Sequence, residues 1–318
     1  MQFLKLVIFI CFSVTGPALH AATSEAIING SAPGAQCCSL QVAGINMQID
    51  ANKGARVISL QYDGREFLIL QSIEPIYYGA TCWPDPQAAW WPMDPAFDEL
   101  SYETIYRSGD RVHLIGKIGV KGLQMEKMFA VNKMDTSIEI RYTIHNRSSV
   151  VQKTGIWELV RVNGGLSFFP GRRQDIFPAS NLAGTENKKG ICWYTYTASA
   201  IQGDQKLFSS GDQGWTAHID ADLIFIKSYP SIPQYLIAPN QGEVEIFTNG
   251  RYVELETHGR YTTLNPGQSV QYRVKWFLRK LPDGIKAVSG NSQLVKYVQH
   301  LLHLTKDNIN IKSNDYAR

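Results

Sequence analysis

The chain has 318 residues, of which 44% are hydrophobic and 19% are charged, and its formal net charge is +3. So many well-spread apolar residues are enough for a full core and exclude intrinsic disorder. No run of basic residues is longer than a pair, which excludes a protein that tracks the phosphates of a nucleic acid.

Residues 1–22 have the pattern of a secretory signal peptide, with one lysine near the start followed by the apolar run Leu6–Val14. This run is too short to span a bilayer, and we expect cleavage near Ala21 or Ala22. The pattern predicts a secreted or periplasmic protein with no membrane span in the mature chain. A retained N-terminal anchor is the alternative. Residues 23–38 are mostly small and rich in Gly, Ser and Ala, and are expected to form a flexible leader.

Residues 39–285 follow a pattern of successive strands, rich in β-branched and aromatic residues, with two-residue turn signals at Asp63–Gly64 and Asn249–Gly250. The predicted strands are 40–50, 55–62, 66–70, 111–118, 124–131, 137–145, 151–162, 215–219, 223–227, 243–248, 251–257 and 269–280. We therefore predict an all-β domain, a large antiparallel two-sheet β-sandwich. Residues 286–318 are predicted to form a short C-terminal helix and tail, with the helix over 292–304.

The first candidate site is an aromatic segment, residues 76–106, which contains Trp83, Trp90 and Trp91. Its prolines predict an irregular loop rather than a strand or a helix. Flat aromatic rings stack well on the C–H faces of sugars, and carboxylates such as Asp94 can hold sugar hydroxyls. The alternative is that the tryptophans close one end of the core.

The second candidate site is the late hairpin around Asn249–Gly250. A two-residue type I′ turn there would place Glu245 opposite Glu254 and Glu243 opposite Glu256. Carboxylates placed so close to one another destabilise a sheet unless another group offsets them.

The repulsion among these four carboxylates could be relieved in three ways. His258 lies on the same face of its strand. The basic side chains of the following strand, Arg273, Lys275 and Arg279, could neutralise them. A hard cation such as Ca²⁺ could bind Glu243, Glu245, Glu254 and Glu256, although we do not favour a metal here. One carboxylate could instead have a raised pKa and act as an acid or a base.

The third candidate site is the strand over residues 155–162, in which Glu158 shares the side of Ile156 and Val160. A carboxylate on an apolar face is either paired or close to a cleft. Arg161 is its possible partner, and a buried Glu–Arg pair is the structural alternative to a site.

Four cysteines remain after removal of the signal peptide: Cys37, Cys38, Cys82 and Cys192. In an oxidising compartment they could form two disulfides, or they could be free buried thiols, and both alternatives stay open. Their spacing matches no zinc site, and the sequence has no phosphate-binding or dinucleotide-binding motif, so we expect no cofactor.

Several stretches together resemble the galactose mutarotase-like (aldose 1-epimerase-like) superfamily, and in particular a secreted branch of it. They are GARVISLQYDGREFLIL (54–70), YYGATCWPDP (77–86), WELVRVNGGLSFFP (157–170) and YVELETHGRYTTLNPGQSVQYRVKWFL (252–278). The resemblance covers most of the mature chain. It implies a large antiparallel β-sandwich that handles sugars.

The resemblance also implies catalytic roles at matching positions. In mutarotases the Glu of the LET tripeptide is the general base, and here that residue is Glu256. The general acid of the family is a His on a central strand, which has no counterpart in 155–162. Glu158 or His258 would be the available substitutes.

These observations favour a secreted carbohydrate-binding protein that holds a mono- or oligosaccharide in a groove. The alternatives are a carbohydrate-active enzyme with Glu256 as its base, either an aldose 1-epimerase or a glycan-cleaving enzyme, and a non-catalytic envelope or structural protein. The expected ligand contacts are Trp83, Trp90, Trp91, Asp94, Arg161, Glu254 and His258, with Glu256 and Glu158 as the candidate catalytic pair.

Overall fold

A computed structural model describes residues 37–171 and 182–302. Within these residues, twenty strands form two antiparallel sheets of ten strands each, and the predicted two-sheet β-sandwich is confirmed. The predicted signal peptide and leader, up to residue 36, and the end of the chain from residue 303 lie outside the described residues.

The first sheet carries the candidate site. Its main path runs β1 (Cys37–Val42), β2 (Ile45–Asp50), β3 (Arg56–Tyr62), β5 (Ala80–Asp85), β10 (Gln152–Val162), β18 (Val253–His258), β17 (Val244–Thr248) and β14 (Gln205–Ser209). Two short strands extend it, with β4 (Arg65–Glu66) paired to β3 and β19 (Thr262–Leu264) paired to β10.

The second sheet closes the sandwich. Its order is β12 (Thr185–Lys188), β13 (Ile191–Thr195), β11 (Leu166–Pro170), β15 (Trp215–Asp220), β16 (Leu223–Ser228), β20 (Ser269–Lys280), β9 (Ser137–Asn146), β8 (Leu123–Asn132), β7 (Arg111–Ile118) and β6 (Glu103–Arg107). Strand β20 buries Val270, Tyr272, Val274, Trp276 and Leu278 as its alternation predicts.

Helices are few and short in the described part of the chain: α1 (Gln87–Trp90), α2 (Pro95–Asp98), the 3₁₀ turns Ala198–Ala200 and Gln234–Leu236, and a C-terminal helix beginning at residue 292. The C-terminal helix packs Leu294, Val298 and Leu302 against the second sheet. Among the described helices, none has the length and apolar character needed to cross a membrane.

The prediction of an irregular aromatic loop is wrong for much of the segment. Ala80–Asp85 is a strand in the middle of the first sheet, α1 and α2 are short helices, and β6 is an edge strand of the second sheet. Pro84 is tolerated in Ala80–Asp85 because it has a paired residue on one side only. That residue is Ile156 of β10, whereas β3, on the other side, pairs with β5 only through Val57 and Ala80. A proline that lacks its N–H therefore leaves few ladder hydrogen bonds unmade.

The predicted register of the late hairpin is also wrong, because Thr248 pairs with Val253 and four residues form the loop. Glu245 therefore lies opposite Glu256, and Phe247 lies opposite Glu254. Within the loop, the Thr248 hydroxyl donates to the Tyr252 carbonyl at 2.6 Å and accepts from the Gly250 N–H at 3.2 Å, which stabilises the longer turn. A register shift of one residue would move every side chain to the other face of the sheet, whereas this shift of two residues does not. The carboxylates therefore keep their predicted face.

Candidate functional site

The candidate site lies on the face of the first sheet that points away from the inter-sheet core. Side chains of five neighbouring strands share this face because alternate residues along each strand project to the same side. They are Thr81, Trp83 and Asp85 of β5, Trp157, Leu159 and Arg161 of β10, Glu254, Glu256 and His258 of β18, Glu245 and Phe247 of β17, and Lys206 and Phe208 of β14.

A cleft of about 520 Å³ opens on this face. Its lining includes Tyr77, Trp83, Gln87, Trp91, Trp157, Leu159, Asp204, Gln205, Lys206, Phe247, Asn249, Arg251, Tyr252 and Glu254. Such a volume and such a mixture of aromatic and polar side chains are typical of small-molecule sites.

Three indole rings form one wall of the cleft. The ring centroid of Trp83 lies 5.2 Å from that of Trp157 and 6.4 Å from that of Trp91, in both cases edge to face. Trp91 remains 51% exposed, which leaves ring surface available to a ligand.

Of the seven predicted ligand contacts, Trp83, Trp91 and Glu254 line the cleft. Arg161 and His258 are buried behind its wall, and the remaining two lie elsewhere. Trp90 is only 6% exposed and packs edge to face on Phe97, inside the core. Asp94 caps α2, where its carboxylate accepts hydrogen bonds from the backbone N–H groups of Ala96 and Val120. Neither residue lines the cleft, so the aromatic segment divides between a binding wall and a core plug.

Glu254 is the carboxylate of β18 that lines the cleft. Its Oε1 accepts a hydrogen bond from Nε of the buried Arg161 at 2.7 Å, and Arg161 Nη1 also donates to the Thr81 hydroxyl at 3.1 Å. The Arg161 guanidinium lies 5.5 Å from the centroid of the Trp83 ring. This pairing fixes the orientation of both the carboxylate and the aromatic wall.

Glu256 lies beneath the cleft, and its side chain is fully buried. Its Oε2 accepts hydrogen bonds from the Trp157 indole N–H at 2.6 Å and from Lys206 Nζ at 2.9 Å. The same ammonium lies 2.6 Å from Oε2 of Glu245. The Lys206 side chain therefore separates Glu256 from the space in which a ligand would lie.

His258 continues this network away from the cleft. Its Nδ1 lies 3.2 Å from Oδ2 of Asp85, and its Nε2 lies 3.4 Å from Oε1 of Glu245. The imidazole stacks on the Trp157 ring at 5.7 Å with an interplanar angle of 13°. His258 therefore contacts the wall of the cleft from below.

The network shifts the pKa values of its members in opposite directions. Burial raises the pKa of Glu256, and the net result is about 7, because Lys206 lowers it while the Glu245 and Glu254 carboxylates raise it further. Burial also disfavours the charged form of Glu245, but Lys206 and His258 hold the pKa of that carboxyl below its usual range.

Glu245, Glu256 and His258 could in principle hold a metal ion, because their ligand atoms lie within 4.8 Å of one another. Protein donors already occupy this site, however. Glu245 Oε1 accepts hydrogen bonds from the side chain of Gln241 at 3.1 Å and from a neighbouring backbone N–H, and the Lys206 ammonium lies between the two carboxylates. The donor set does not fit a divalent cation.

Glu243 lies apart from this network. Its carboxylate accepts hydrogen bonds from the backbone N–H groups of Ile232 at 2.6 Å and Gly211 at 2.9 Å. It therefore does not complete the four-carboxylate Ca²⁺ site that the sequence raised as a possibility.

The basic residues of β20 do not neutralise the acidic face, because β20 belongs to the second sheet. Arg273 pairs with Glu139 of β9, Lys275 pairs with Asp135 in the turn between β8 and β9, and Arg279 donates to backbone carbonyls. Lys206, His258 and Arg161 offset the carboxylates instead.

Glu158 lies on the opposite side of β10, between the two sheets. It pairs with the buried Lys227 at 2.8 Å and accepts hydrogen bonds from Tyr142 at 3.0 Å and from the Trp276 indole at 3.2 Å. Its partner is therefore a lysine of the second sheet rather than Arg161, and it does not reach the cleft.

The cysteines of the described residues are free thiols. Burial raises the pKa of Cys192 to about 12 and raises that of Cys82 further, so neither is a reactive thiolate near neutral pH.

Sequence reasoning missed two site residues above all, Lys206 and Trp157. The two-residue alternation of β10 places Trp157 on the same side as Arg161, which was a usable signal. No local signal brings Lys206 to Glu256, because β14 and β18 are not adjacent in the sheet and lie far apart in the sequence.

Several solved structures with a similar fold are described as galactose mutarotase-like. The chain is similar to a galactose mutarotase-like protein from Lactobacillus casei, with a TM-score of 0.56 and 12% identity over 76% of this chain and 100% of the other. It is also similar to a galactose mutarotase-like protein from Clostridium acetobutylicum, with a TM-score of 0.53 and 11% identity over 77% and 95% of the two chains. A third similar structure is a galactose mutarotase related enzyme from Lactobacillus acidophilus, with a TM-score of 0.54 and 10% identity over 79% of this chain and 100% of the other.

The fold resemblance inferred from the sequence is thereby confirmed. Among curated proteins, none matches the chain. The family described as Domain of unknown function (DUF4380) matches residues 73–279, which is more than half of the chain and includes the cleft. The chain therefore belongs to the DUF4380 family.

Proposed function

We propose that this protein binds a carbohydrate in the cleft of the first sheet and does not catalyse sugar epimerisation. The observation that carries the proposal is a wall of three indole rings that converges with Glu254 on one cleft. Aromatic faces suit the apolar faces of a pyranose ring, and an oriented carboxylate suits its hydroxyl groups. The galactose mutarotase-like fold is consistent with this ligand class.

The geometry favours binding over epimerisation because the candidate base does not reach the cleft. Glu256 is fully buried, and it is paired with Lys206 and Trp157. A general base must come within hydrogen-bond reach of the proton that it abstracts. The cleft therefore offers Glu254 for hydrogen bonding but keeps Glu256 out of contact with a bound sugar.

Calorimetric titration with galactose, glucose, lactose and cellotriose tests the proposal. We expect at least one of these sugars to bind, with affinity retained in Glu256→Gln and reduced at least tenfold in Glu254→Gln. Anomer exchange of galactose and glucose, followed by NMR, should proceed at the buffer rate with both the wild type and Glu256→Gln. A failure of every sugar to bind would refute the proposal, and faster anomer exchange by the wild type would favour the epimerase alternative.

We also propose that the protein acts outside the cytoplasm, as a secreted or periplasmic protein. The signal-peptide pattern of residues 1–22 supports this location. Mass spectrometry of the mature protein should then find an N-terminus near residue 22, whereas an intact Met1 in the exported fraction would contradict cleavage.

A further inference from the structure

Lys206 stands at the boundary between the cleft and the buried network. It comes from β14, at the edge of the first sheet, and its side chain is 18% exposed where it lines the cleft. The ammonium lies 5.2 Å from the centroid of the Trp157 ring, and it bridges Glu245 and Glu256. Lys206 therefore lines the cleft and also belongs to the buried network below it.

The groups behind Lys206 alternate in charge. Lys206 pairs with Glu245, Glu245 faces His258 at 3.4 Å, and His258 faces Asp85 at 3.2 Å. These groups come from four strands, and their order across the sheet is β14, β17, β18 and β5, with Trp157 of β10 stacked on His258. A buried charge pair with such partners holds each side chain in one geometry.

The network contains more acidic than basic groups. Three buried carboxyl groups, Asp85, Glu245 and Glu256, surround two basic groups, Lys206 and His258. Among the described residues, Glu256 Oε1 and Asp85 Oδ1 have no hydrogen-bond donor. The position of the ammonium is therefore set by how the negative charge is distributed beneath it.

We propose that Lys206 is a ligand-contacting residue that donates a hydrogen bond to an acceptor oxygen of the bound sugar, and that Glu245, His258 and Asp85 are positioning residues that hold its ammonium at the cleft. This proposal rests on the proposed carbohydrate-binding function. It adds to that function a cationic donor and a buried chain of supporting residues that no motif in the sequence marks.

The charge of His258 gives the proposal a measurable pH dependence. Burial disfavours the imidazolium, but the Glu245 and Asp85 carboxylates raise the pKa of His258 to about 10. Its contribution to stability is then complete below the unfolded-state pKa of about 6.5 and is lost as the pH rises through about 10. A neutral His258 leaves Glu245 to attract the ammonium more strongly, away from the cleft.

The first test measures sugar affinity. Lys206→Met should weaken binding of the sugar with the highest affinity in the panel at least tenfold. Because this change leaves two carboxylates without their cation, Lys206→Met/Glu256→Gln keeps the test valid if the single variant does not fold. Lys275→Met is the matched control, since Lys275 pairs with Asp135 in the second sheet.

The second test needs no ligand and follows the ¹H–¹⁵N signal of the Trp157 indole against pH, assigned with Trp157→Phe. Asp85→Asn removes one carboxylate from His258 and should lower the alkaline midpoint of this signal by at least one pH unit. Asp110→Asn, which changes an exposed carboxylate beside Ser108, should leave the midpoint unchanged.

Three outcomes would overturn the proposal. Sugar affinity that is unchanged in both Lys206 variants would show that the ammonium does not contact the ligand, with the proposed function intact. An unchanged Trp157 midpoint in Asp85→Asn would show that the buried chain does not position the cleft. Absence of sugar binding by the wild type would refute the carbohydrate-binding function together with this use of Lys206.

Discussion

Replacing Lys227 by Met is expected to lower the free energy of unfolding by about 3–5 kcal/mol, because it leaves the Glu158 carboxylate buried without its cation. Both side chains are fully buried between the two sheets, and Nζ of Lys227 lies 2.8 Å from Oε2 of Glu158. The Lys227 ammonium also donates to the Leu255 carbonyl at 3.1 Å, so the change removes a link between the sheets. Urea unfolding followed by circular dichroism measures this loss.

The double variant Glu158→Met/Lys227→Met is the informative partner of the single change. It removes both charges and replaces them with apolar groups of similar size, so we expect it to recover part of the lost stability. The recovery is incomplete because Tyr142 and Trp276 lose the acceptor of their hydrogen bonds. Its sugar affinity should equal that of the wild type, because Glu158 lies on the side of β10 that faces away from the cleft. If the double variant folds but no longer binds the sugar, Glu158 contributes to function after all.

Adjacent tryptophans should respond in opposite ways to replacement by alanine. Trp90→Ala should cost about 3–5 kcal/mol of stability, since it removes a buried indole from the core beside Phe97. Trp91→Ala should cost much less stability and should reduce sugar affinity at least tenfold, because Trp91 is half-exposed on the cleft wall. Thermal unfolding and calorimetric titration of the two variants separate these effects.

The pair serves as its own control, because the two positions differ by one residue and carry the same side chain. If Trp90→Ala weakened binding while Trp91→Ala did not, the cleft would not be the binding site. Equal losses of stability in both variants would show instead that Trp91 is a core residue.

The sequence contained enough information to predict most of the fold. Side chains alternate along a strand with a period of two, so the pattern of Ser269–Lys280 already identified which residues of β20 are buried. The same period placed Glu245, Glu254, Glu256 and His258 on one face, and this held although the predicted register was off by two residues. Turn length, in contrast, depended on hydrogen bonds of Thr248 and Asn249 within the loop.

By itself, therefore, the sequence determined that this protein is a large β-sandwich with a segment rich in aromatic residues and with carboxylates on one face of a late hairpin. Only the tertiary structure decided that Trp91 rather than Trp90 lines the cleft, that Glu158 pairs with Lys227 between the sheets, and that Lys206 covers Glu256. The physical reason is that local patterning fixes the side of a strand to which a residue points, whereas the order of strands across a sheet brings together residues that are far apart in the chain. Charge pairs such as Lys206 with Glu256 depend on that order.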